Sequence, residues 1–443
     1  MATLSVFIPY GFLLPILILT ILVFLIIPLK KLLFYIWIGI FISSFFGAYL
    51  GIPGSESIFL FRILLLLHFL FFLFLPEKKL SDMKSVKWLF FILIAWFVGF
   101  SITLFWSDSL NASVRYIYYM FELIYLIFLV TYYLSSKKMF FLFSKIITVV
   151  YLLEMFIGFL EVITGFHLPQ SGAFVYDTAT SAYQPTGLLF NTNDYAFLLV
   201  VFFPIVFWRL TYLRKLYCFI SLSVISVGSI YLVITTYSRL GLLIFGMMIL
   251  AILVTYFSKW SIFIGAWSCL IISSILLFSP STLSKIQGII MASFTEKGAS
   301  TSDRVERYNT LWQIIKDTNL LGVGAGNAPI KLQQYRIGYA QIQETILAPH
   351  NFWLEVIADG GFLGIFPGLF FLALLLMSMY YGWIMRKQNS TLFVILPVLL
   401  TLTFLVSAVA LSTVIDKRYL WIAIGMAVAV VNIIINQKKE LSK

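Results

Sequence analysis

Apolar stretches of about 20 residues recur along almost the whole chain, and no other feature limits the fold as strongly. A helix of that length crosses roughly 30 Å of hydrocarbon and satisfies its own backbone hydrogen bonds, which lipid cannot do. Only 11% of the residues are charged, whereas a soluble domain carries about 25%. The sequence therefore predicts an all-α, polytopic membrane protein, built as a bundle of about 12–14 transmembrane helices.

The order of apolar stretches and basic turns predicts how the chain crosses the membrane. The predicted spans cover residues 7–27, 32–52, 58–75, 88–106, 114–134, 139–162, 187–207, 216–235, 240–257, 261–279, 361–384, 391–412 and 419–436. Basic residues gather in alternate turns, and such turns face the cytoplasm. By this count the chain begins outside and ends inside; an even number of spans, with both ends inside, is the alternative. We expect residues 1–443 to form a single transmembrane domain.

The formal net charge of +12 does not indicate a nucleic-acid-binding protein. The Lys and Arg residues lie in short turns between spans instead of on one soluble face, so the charge reflects membrane topology. Cys218 and Cys269 fall inside apolar stretches, where two thiols are more typical of small core residues than of a disulfide or a metal pair. We therefore expect no nucleic-acid partner, no metal site and no cofactor.

One polar connection, residues 280–360, is much longer than the others, and the alternation of turns places it on the extracytoplasmic side. Asp303 and the serine before it can cap a first helix. The apolar positions of that helix recur at helical spacing, at Val305, Tyr308, Leu311, Trp312 and Ile315. Leu321–Asn327 contains three glycines but lacks the Lys-Ser/Thr pair of a nucleotide site, so we interpret it as a tight turn. Pro349 precedes a second predicted helix over residues 350–359.

His350 is the most prominent candidate for catalysis. It is the one histidine in the large loop, since His68 lies in a span and His167 in a shorter turn. At the first turn of a helix the imidazole meets the positive end of the helix dipole, which disfavours protonation and leaves a neutral base at pH 7. Such a base can accept the proton of a sugar hydroxyl. The alternative is a histidine that only caps the helix.

Several arginines at loop positions could bind a phosphate group. Arg239 lies in a short turn between two spans, where a charge without a partner is costly. A lipid pyrophosphate suits it, because guanidinium forms paired hydrogen bonds with phosphate oxygens; an arginine that extends to the lipid headgroups is the alternative. Arg304 and Arg307 lie on neighbouring faces of the first loop helix. Arg304, near the start of that helix, is the stronger candidate, whereas the position of Arg307 is more typical of a solvated loop charge. Arg115, at the outer start of a span, is a further phosphate candidate.

Other polar residues lie at the ends of spans or inside them. Asn193 belongs to a run of amides that suits sugar hydroxyls or, equally, satisfies backbone groups at a helix start. Glu154 and Glu161, seven residues apart, share one face of a predicted span, where ionisable residues indicate function by default. They could form a packing pair, a proton path or a contact to a sugar.

Short motifs in a fixed order resemble the O-antigen ligase and polymerase family. The motifs are Thr236 to Arg239, Arg304 with Trp312, Leu321 to Asn327, His350 to Glu355, and Gly360 to Gly364. This order covers residues 185–364, while the residues before it match only in being hydrophobic spans. Gln184 stands where an arginine is often found in the family, so we do not assign phosphate binding to the segment that follows it.

The resemblance implies a metal-independent glycosyltransferase at the outer face of the bacterial cytoplasmic membrane. An acceptor hydroxyl would attack the anomeric carbon of the donor, and undecaprenyl pyrophosphate would leave. By the same resemblance Arg239 and Arg304 bind pyrophosphate, His350 activates the acceptor, and Asn351 and Glu355 support them. The implied partners are a lipid-linked glycan donor, a glycan acceptor, membrane lipids and a chain-length regulator.

Two functions share this donor chemistry. A polymerase extends a lipid-linked glycan by repeat units, whereas an O-antigen ligase transfers finished glycan to lipid A core. The richness in Ile, Phe, Lys and Tyr is typical of AT-rich bacteria, which are often Gram-positive, and therefore favours a polymerase for a surface polysaccharide. A lipid-linked sugar transporter or flippase is the alternative of a different class, but the sequence shows no duplicated half with interrupted spans, as transporters commonly have.

Overall fold

The structure is a computed structural model that describes residues 27–52, 55–176, 183–256, 298–337 and 347–442. Within these ranges nine helices are long and apolar enough to cross a membrane. The expected all-α polytopic membrane protein is therefore confirmed. The predicted span 261–279, which holds Cys269, and nearly all of span 7–27 lie outside the described residues. The chain divides after Lys79 into two compact units, and a single transmembrane domain stays a prediction.

In the described part of the first unit, a small hairpin joins two helices. Its elements are α1 (Leu29–Phe46), a 3₁₀ turn (Gly47–Leu50), β1 (Gly51–Ile52), β2 (Ser55–Phe59) and α2 (Leu60–Leu73). The strands are antiparallel, with Gly51 opposite Phe59. The sequence predicted span 32–52 as continuous helix, but α1 ends at Gly47, whose φ of +50° is a backbone conformation that favours glycine. His68 is buried on α2 and stacks on Phe72.

The second unit contains the remaining described helices. They are α3 (Lys87–Ile102), α4 (Leu110–Tyr133), α5 (Lys137–Thr164), α6 (Gly172–Tyr176), α7 (Thr192–Leu210), α8 (Lys215–Thr235), α9 (Arg239–Tyr256), α10 (Gly298–Asp317), α11 (Ala328–Ile337), α12 (Phe352–Gly360), α13 (Ile365–Ile384), α14 (Thr391–Ala410) and α15 (Arg418–Leu441). Short 3₁₀ segments precede α3, follow it, and join α12 to α13.

Two helices, α7 and α15, form the centre of the second unit. Residues 419–435 of α15 and 194–208 of α7 are buried without interruption, and α15 contacts α4, α5, α7, α13 and α14. Gly425 permits the close approach to α4, because a Cβ at this position would lie 2.8 Å from the Cβ of Val130. Peripheral helices instead expose apolar side chains such as Phe219 on α8, as expected of a surface that faces lipid.

The described contacts of the second unit define two ends of the bundle. At the end that we call the basic end, Arg209 donates to the carbonyl of Phe141 over 2.9 Å, and Ser85 bonds Asn436 over 2.6 Å. The opposite end, which we call the loop end, gathers residues 103–116, 165–176, 183–191, 236–241, 303–337, 347–361 and 411–418. The predicted site residues lie within these ranges, except Asn193, which follows the range 183–191 in the first turn of α7.

Helices α10, α11 and α12 form a small layer at the loop end. They share a buried core of Leu311, Ile314, Ile315, Val323, Ala328, Leu332 and Ala358. The prediction of a helix capped at Asp303 was wrong, because α10 already includes Gly298 and Asp303 lies inside it. Two of the apolar positions predicted for this helix are exposed, Val305 by 52% and Trp312 by 50%. The buried side of the helix contains Ile314 instead. The sequence analysis did not predict α11.

The glycine-rich segment forms the tight turn that was predicted, and it joins α10 to α11. Gly322, Gly324 and Gly326 all have positive φ values. The amides of Val323 and Gly324 each donate over 2.9 Å to a carbonyl at the end of α12. The side chain of Asn327 then accepts from the amide of Ser109 and donates to the hydroxyl of Ser113, both over 2.8 Å. The turn thereby attaches the α10–α12 layer to the start of α4.

Candidate functional site

His350 lies immediately before α12, and not in its first turn as predicted. The helix begins at Phe352, and Asn351 caps it by accepting the amides of Trp353 and Leu354 over 3.1 and 3.2 Å. The capping role that the sequence left open for His350 therefore belongs to Asn351. The predicted helix start was too early, because it followed Pro349 directly, whereas the helix begins three residues after this proline.

The backbone of His350 adopts the left-handed conformation, with φ at +56°. For a residue other than glycine this costs on the order of 1–3 kcal/mol and persists where the surroundings determine it. Both peptide groups of His350 are held. Its amide donates to the carbonyl of Ser412 over 3.2 Å, and its carbonyl accepts from the hydroxyl of Tyr308 over 2.8 Å.

The imidazole of His350 is neutral at pH 7. Burial, followed by the charges of Arg304 and Arg307, lowers its pKa to about 4, and Asp303 opposes the shift. The expected protonation state thus has a cause other than the helix dipole. Its Nδ1 atom is buried and accepts or donates no hydrogen bond within the described part of the chain. The side chain is therefore able to exchange a proton with a hydroxyl that reaches this atom.

Arg304 and Arg307 lie on the same helix but differ in their contacts. Arg307 binds Asp303 over 2.8 Å and donates to the carbonyl of Ala348 over 2.8 Å, so it fastens the segment before His350 to α10. Among the described residues, the guanidinium of Arg304 makes no hydrogen bond or ion pair. Arg304 therefore keeps its donors for a ligand, while the contacts of Arg307 favour a structural part over its predicted contact with substrate.

Arg336 completes the ion-pair network of the α10–α12 layer. It contacts Asp303 over 2.7 Å and Glu306 over 2.9 Å. Asp303 therefore joins the start of α10 to α11 and, through Arg307, to the segment before His350. This network sets the orientation of the helix that carries Arg304.

Glu355 lies on α12 one helical turn after Asn351. It is 3% exposed, and one of its carboxyl oxygens has no hydrogen-bond partner among the described residues. Asp359, one turn further, accepts the amide of Ala328 over 2.6 Å and thereby caps α11. The sequence missed this second carboxylate, although the spacing of four residues places both on one helix face.

A pair that sequence reasoning missed lies at the start of α7. Asp194 forms an ion pair of 3.0 Å with Lys417, in the turn between α14 and α15. Although burial opposes the charge of Lys417, Asp194 and Asp416 hold its pKa above the ordinary value. This turn also provides the Ser412 carbonyl that holds His350. The only signal in the sequence was an Asp-Lys-Arg run in an otherwise charge-poor turn.

Asn193 lies beside this pair, in the first turn of α7. Its amide donates over 2.8 Å to the side chain of Asn191, which caps the helix. The alternative interpretation expected Asn193 and Asp194 to satisfy the backbone at this helix start, but the side chain of Asn191 does so instead. The half-buried side chain of Asn193 lies at the loop end, and its contact with a sugar stays a prediction.

Glu154 and Glu161 share one face of α5, as predicted, and bind the backbone of the segment before α7. Glu161 accepts the amides of Thr186 and Gly187 over 2.7 and 2.8 Å. Glu154 accepts the amide of Leu188 over 3.1 Å. Of the alternatives that the sequence left open, these contacts favour a packing role.

Arg239 is the first residue of α9 and is half-buried. The start of α9 packs against α7, because a Cβ at Gly241 would lie 3.2 Å from the Cβ of Ala196. This places Arg239 at the loop end. Arg115 lies exposed on the first turns of α4, and no contact in the described ranges links it to His350. The structure thus brings His350, Arg304, Arg307 and Glu355 into one layer of contacts, with Arg239, Asn193 and Arg115 elsewhere on the same end.

Two comparisons with known proteins bear on the function of the chain. Residues 224–367 match a family model described as O-Antigen ligase. The chain is also 26% identical over 408 residues to the Teichuronic acid biosynthesis protein TuaE of Bacillus subtilis (strain 168), which covers 88% of this chain and 82% of the relative. The matched segment contains Arg239, Arg304 and His350, whereas Arg115 and Asn193 lie before it.

Proposed function

We propose that this chain, a multi-pass membrane protein with a function in polysaccharide biosynthesis, belongs to the O-antigen ligase and polymerase family and polymerises lipid-linked repeat units. In this proposal the donor is a glycan on undecaprenyl pyrophosphate, and the acceptor is the hydroxyl of another lipid-linked repeat. The reaction takes place at the outer face of the cytoplasmic membrane. No metal ion takes part.

One observation carries the proposal: a neutral, half-buried imidazole with a buried Nδ1 atom lies next to a helix whose Arg304 makes no ion pair or hydrogen bond with the described residues. His350 accepts the proton of the acceptor hydroxyl while that oxygen bonds to the anomeric carbon of the donor. The bond between the anomeric carbon and the pyrophosphate oxygen breaks, and the leaving pyrophosphate carries the negative charge away. Arg304 and Arg239 stabilise this charge, because guanidinium binds phosphate oxygens in pairs and stays protonated.

The name of the relative supports a class of product and does not distinguish polymerisation from ligation. TuaE is named for the biosynthesis of teichuronic acid, and we therefore propose a polysaccharide of teichuronic acid type as the product. The family model is nevertheless described as O-Antigen ligase, so transfer to a lipid A core is the second candidate. The two functions share the donor site and differ only in the acceptor.

The placement of the polar side chains favours an enzyme over a transporter. The residues of the proposed site lie in the α10–α12 layer and in the turns of the loop end. Transporters bind their substrates near the middle of the membrane, between interrupted helices. Buried carboxylates within a span, Glu154 and Glu161, bind backbone amides of the loop end.

The test is reconstitution of the purified protein in liposomes with undecaprenyl-pyrophosphate-linked repeat units and a metal chelator. We expect a ladder of lengthened lipid-linked chains from the wild type and from Tyr335→Phe, a surface control. His350→Ala should form these chains about 10²–10⁴ times more slowly. Transfer only to added lipid A core would establish the ligase instead. Movement of intact lipid-linked sugar across the bilayer, with no lengthened or transferred product, would replace the proposal by a transporter.

A further inference from the structure

The left-handed backbone of His350 needs a support that the proposed chemistry does not itself provide. Non-glycine residues adopt this conformation mainly where neighbouring groups hold them in it. Here the two peptide groups are held from different sides, by the carbonyl of Ser412 and by the hydroxyl of Tyr308. The first is a main-chain group that no side-chain substitution removes, whereas the second is a single side-chain hydroxyl.

Tyr308 has the chemistry and the place for such a support. Burial raises its pKa, so the hydroxyl keeps its proton and donates. The bond to the His350 carbonyl is 2.8 Å, and a longer approach of 3.3 Å reaches the carbonyl of Val409 at the end of α14. The phenol therefore lies between the His350 segment and a helix of the bundle.

The position of Tyr308 on α10 links the two groups of the proposed site. Tyr308 follows Arg304 by four residues, so both side chains lie on one face of the helix, a single turn apart. Arg307, next to Tyr308, holds the carbonyl of Ala348. One turn of α10 thus carries Arg304, the candidate for phosphate binding. The same turn binds the carbonyls of Ala348 and His350.

We propose that Tyr308 is a positioning residue, whose hydroxyl fixes the backbone of His350 and thereby sets the distance between the imidazole and Arg304. This inference rests on the proposed function for its catalytic consequence, but its structural part does not. Tyr308 itself touches no substrate. It acts through His350, and its removal should therefore have no effect once the imidazole is absent.

The first test reads the position of His350 without any substrate. Purified wild type, Tyr308→Phe and Tyr335→Phe in lipid nanodiscs are treated with diethyl pyrocarbonate, and the modification of each histidine is followed by mass spectrometry. Tyr335 is the matched control, because its hydroxyl binds Asp317 on the exposed side of the same layer over 2.9 Å. The buried residues His68 and His167 serve as internal references.

Loss of one hydrogen bond should raise the rate of modification of His350 in Tyr308→Phe by about threefold to tenfold. The rate in Tyr335→Phe should equal that of the wild type. An unchanged rate in Tyr308→Phe overturns the proposal. An equal rise in both variants, or a rise at all three histidines, also overturns it, because the hydroxyl would then stabilise the fold in general.

The second test uses glycan transfer and a double-mutant cycle. Tyr308→Phe should lower kcat by about threefold to thirtyfold while KM for the lipid-linked donor stays within about twofold. In the His350→Ala background the same change should cause no further loss. Additive losses, or a change in KM alone, would show that Tyr308 acts on the substrate or on the fold. If the wild type transfers no glycan, the proposed function fails, while the labelling result still decides the part played by Tyr308.

Discussion

Two segments of the loop end hold ionisable side chains in opposite ways. In the His350 segment (residues 347–351), the imidazole Nδ1 lacks a partner within the described residues, and the neighbouring Arg304 makes no ion pair there. The second segment is the turn of residues 186–188, which Glu161 of α5 binds. Glu161 accepts two backbone amides of this turn and the hydroxyl of Thr186. Ionisable residues inside membrane proteins are functional candidates by default. The two segments differ in whether the hydrogen-bonding atoms of these side chains already have partners in the protein.

The difference follows from what each side chain can still bind. Glu161 also lies 3.2 Å from the Nδ1 of His167, so both of its oxygens are occupied and none remains for a sugar hydroxyl. Within the described part of the chain, the donors of Arg304 and the Nδ1 atom of His350 have no partner. A buried polar atom without a hydrogen bond costs about 1–3 kcal/mol, so the Nδ1 atom of His350, which has no partner among the described residues, favours a place where a ligand binds.

The largest expected effect is that of His350→Ala, which tests the catalytic side of this comparison. Loss of a general base lowers turnover by about 10²–10⁴-fold, and the thermal unfolding midpoint should stay near that of the wild type, because the ring makes no hydrogen bond within the described residues. The measurement is glycan transfer per folded protein in liposomes. Turnover within about tenfold of the wild type would mean that His350 is not the base.

Arg304→Gln and Arg307→Gln test whether the two arginines of α10 have different roles. Arg307 is bonded within the protein, whereas Arg304 has no partner among the described residues. Arg304→Gln should lower kcat/KM for the donor by about 10–100-fold, because charged hydrogen bonds to pyrophosphate are lost. Arg307→Gln should instead lower the unfolding midpoint, since Asp303 and the Ala348 carbonyl lose a shared donor. Steady-state kinetics and thermal unfolding in detergent measure both. Equal effects on donor affinity would contradict the distinction.

The sequence predicted the membrane-spanning helices more successfully than the contacts between them, and its candidates for ligand binding stay predictions. Apolar length alone identifies spans such as α14 and α15, because lipid leaves the backbone no other structure. Arg304 and His350 stood out by residue type and place. The pair of Asp194 with Lys417 did not, because its partners lie on different helices far apart in the chain. Helix α11 was missed because its start is capped by Asn327 and by a carboxylate from α12.

Glu161→Gln tests the structural side of the comparison and should have a smaller effect on transfer. The amide group of glutamine replaces one accepting oxygen by a donor, which then faces the amides of Thr186 and Gly187. We expect a loss of about 1–3 kcal/mol in stability, measured as a lower unfolding midpoint, with turnover of the folded fraction little changed. A loss of turnover as large as that of His350→Ala, without loss of stability, would assign Glu161 to the chemistry.

The smallest effect concerns the acid limit of the reaction. A histidine with the ordinary pKa of about 6.5 is roughly 90% protonated at pH 5.5, which would lower a base-dependent rate about tenfold. His350 has a pKa of about 4, so it stays neutral, and kcat/KM should fall only as the pH approaches 4.

Arg304→Gln removes one cause of the lowered pKa, and the acid limb should therefore move to higher pH. Burial is the larger cause, so the shift should be partial. Initial rates between pH 4 and 8 measure it, and an acid limb near pH 6.5 in the wild type would show that the imidazole of the working enzyme is solvated.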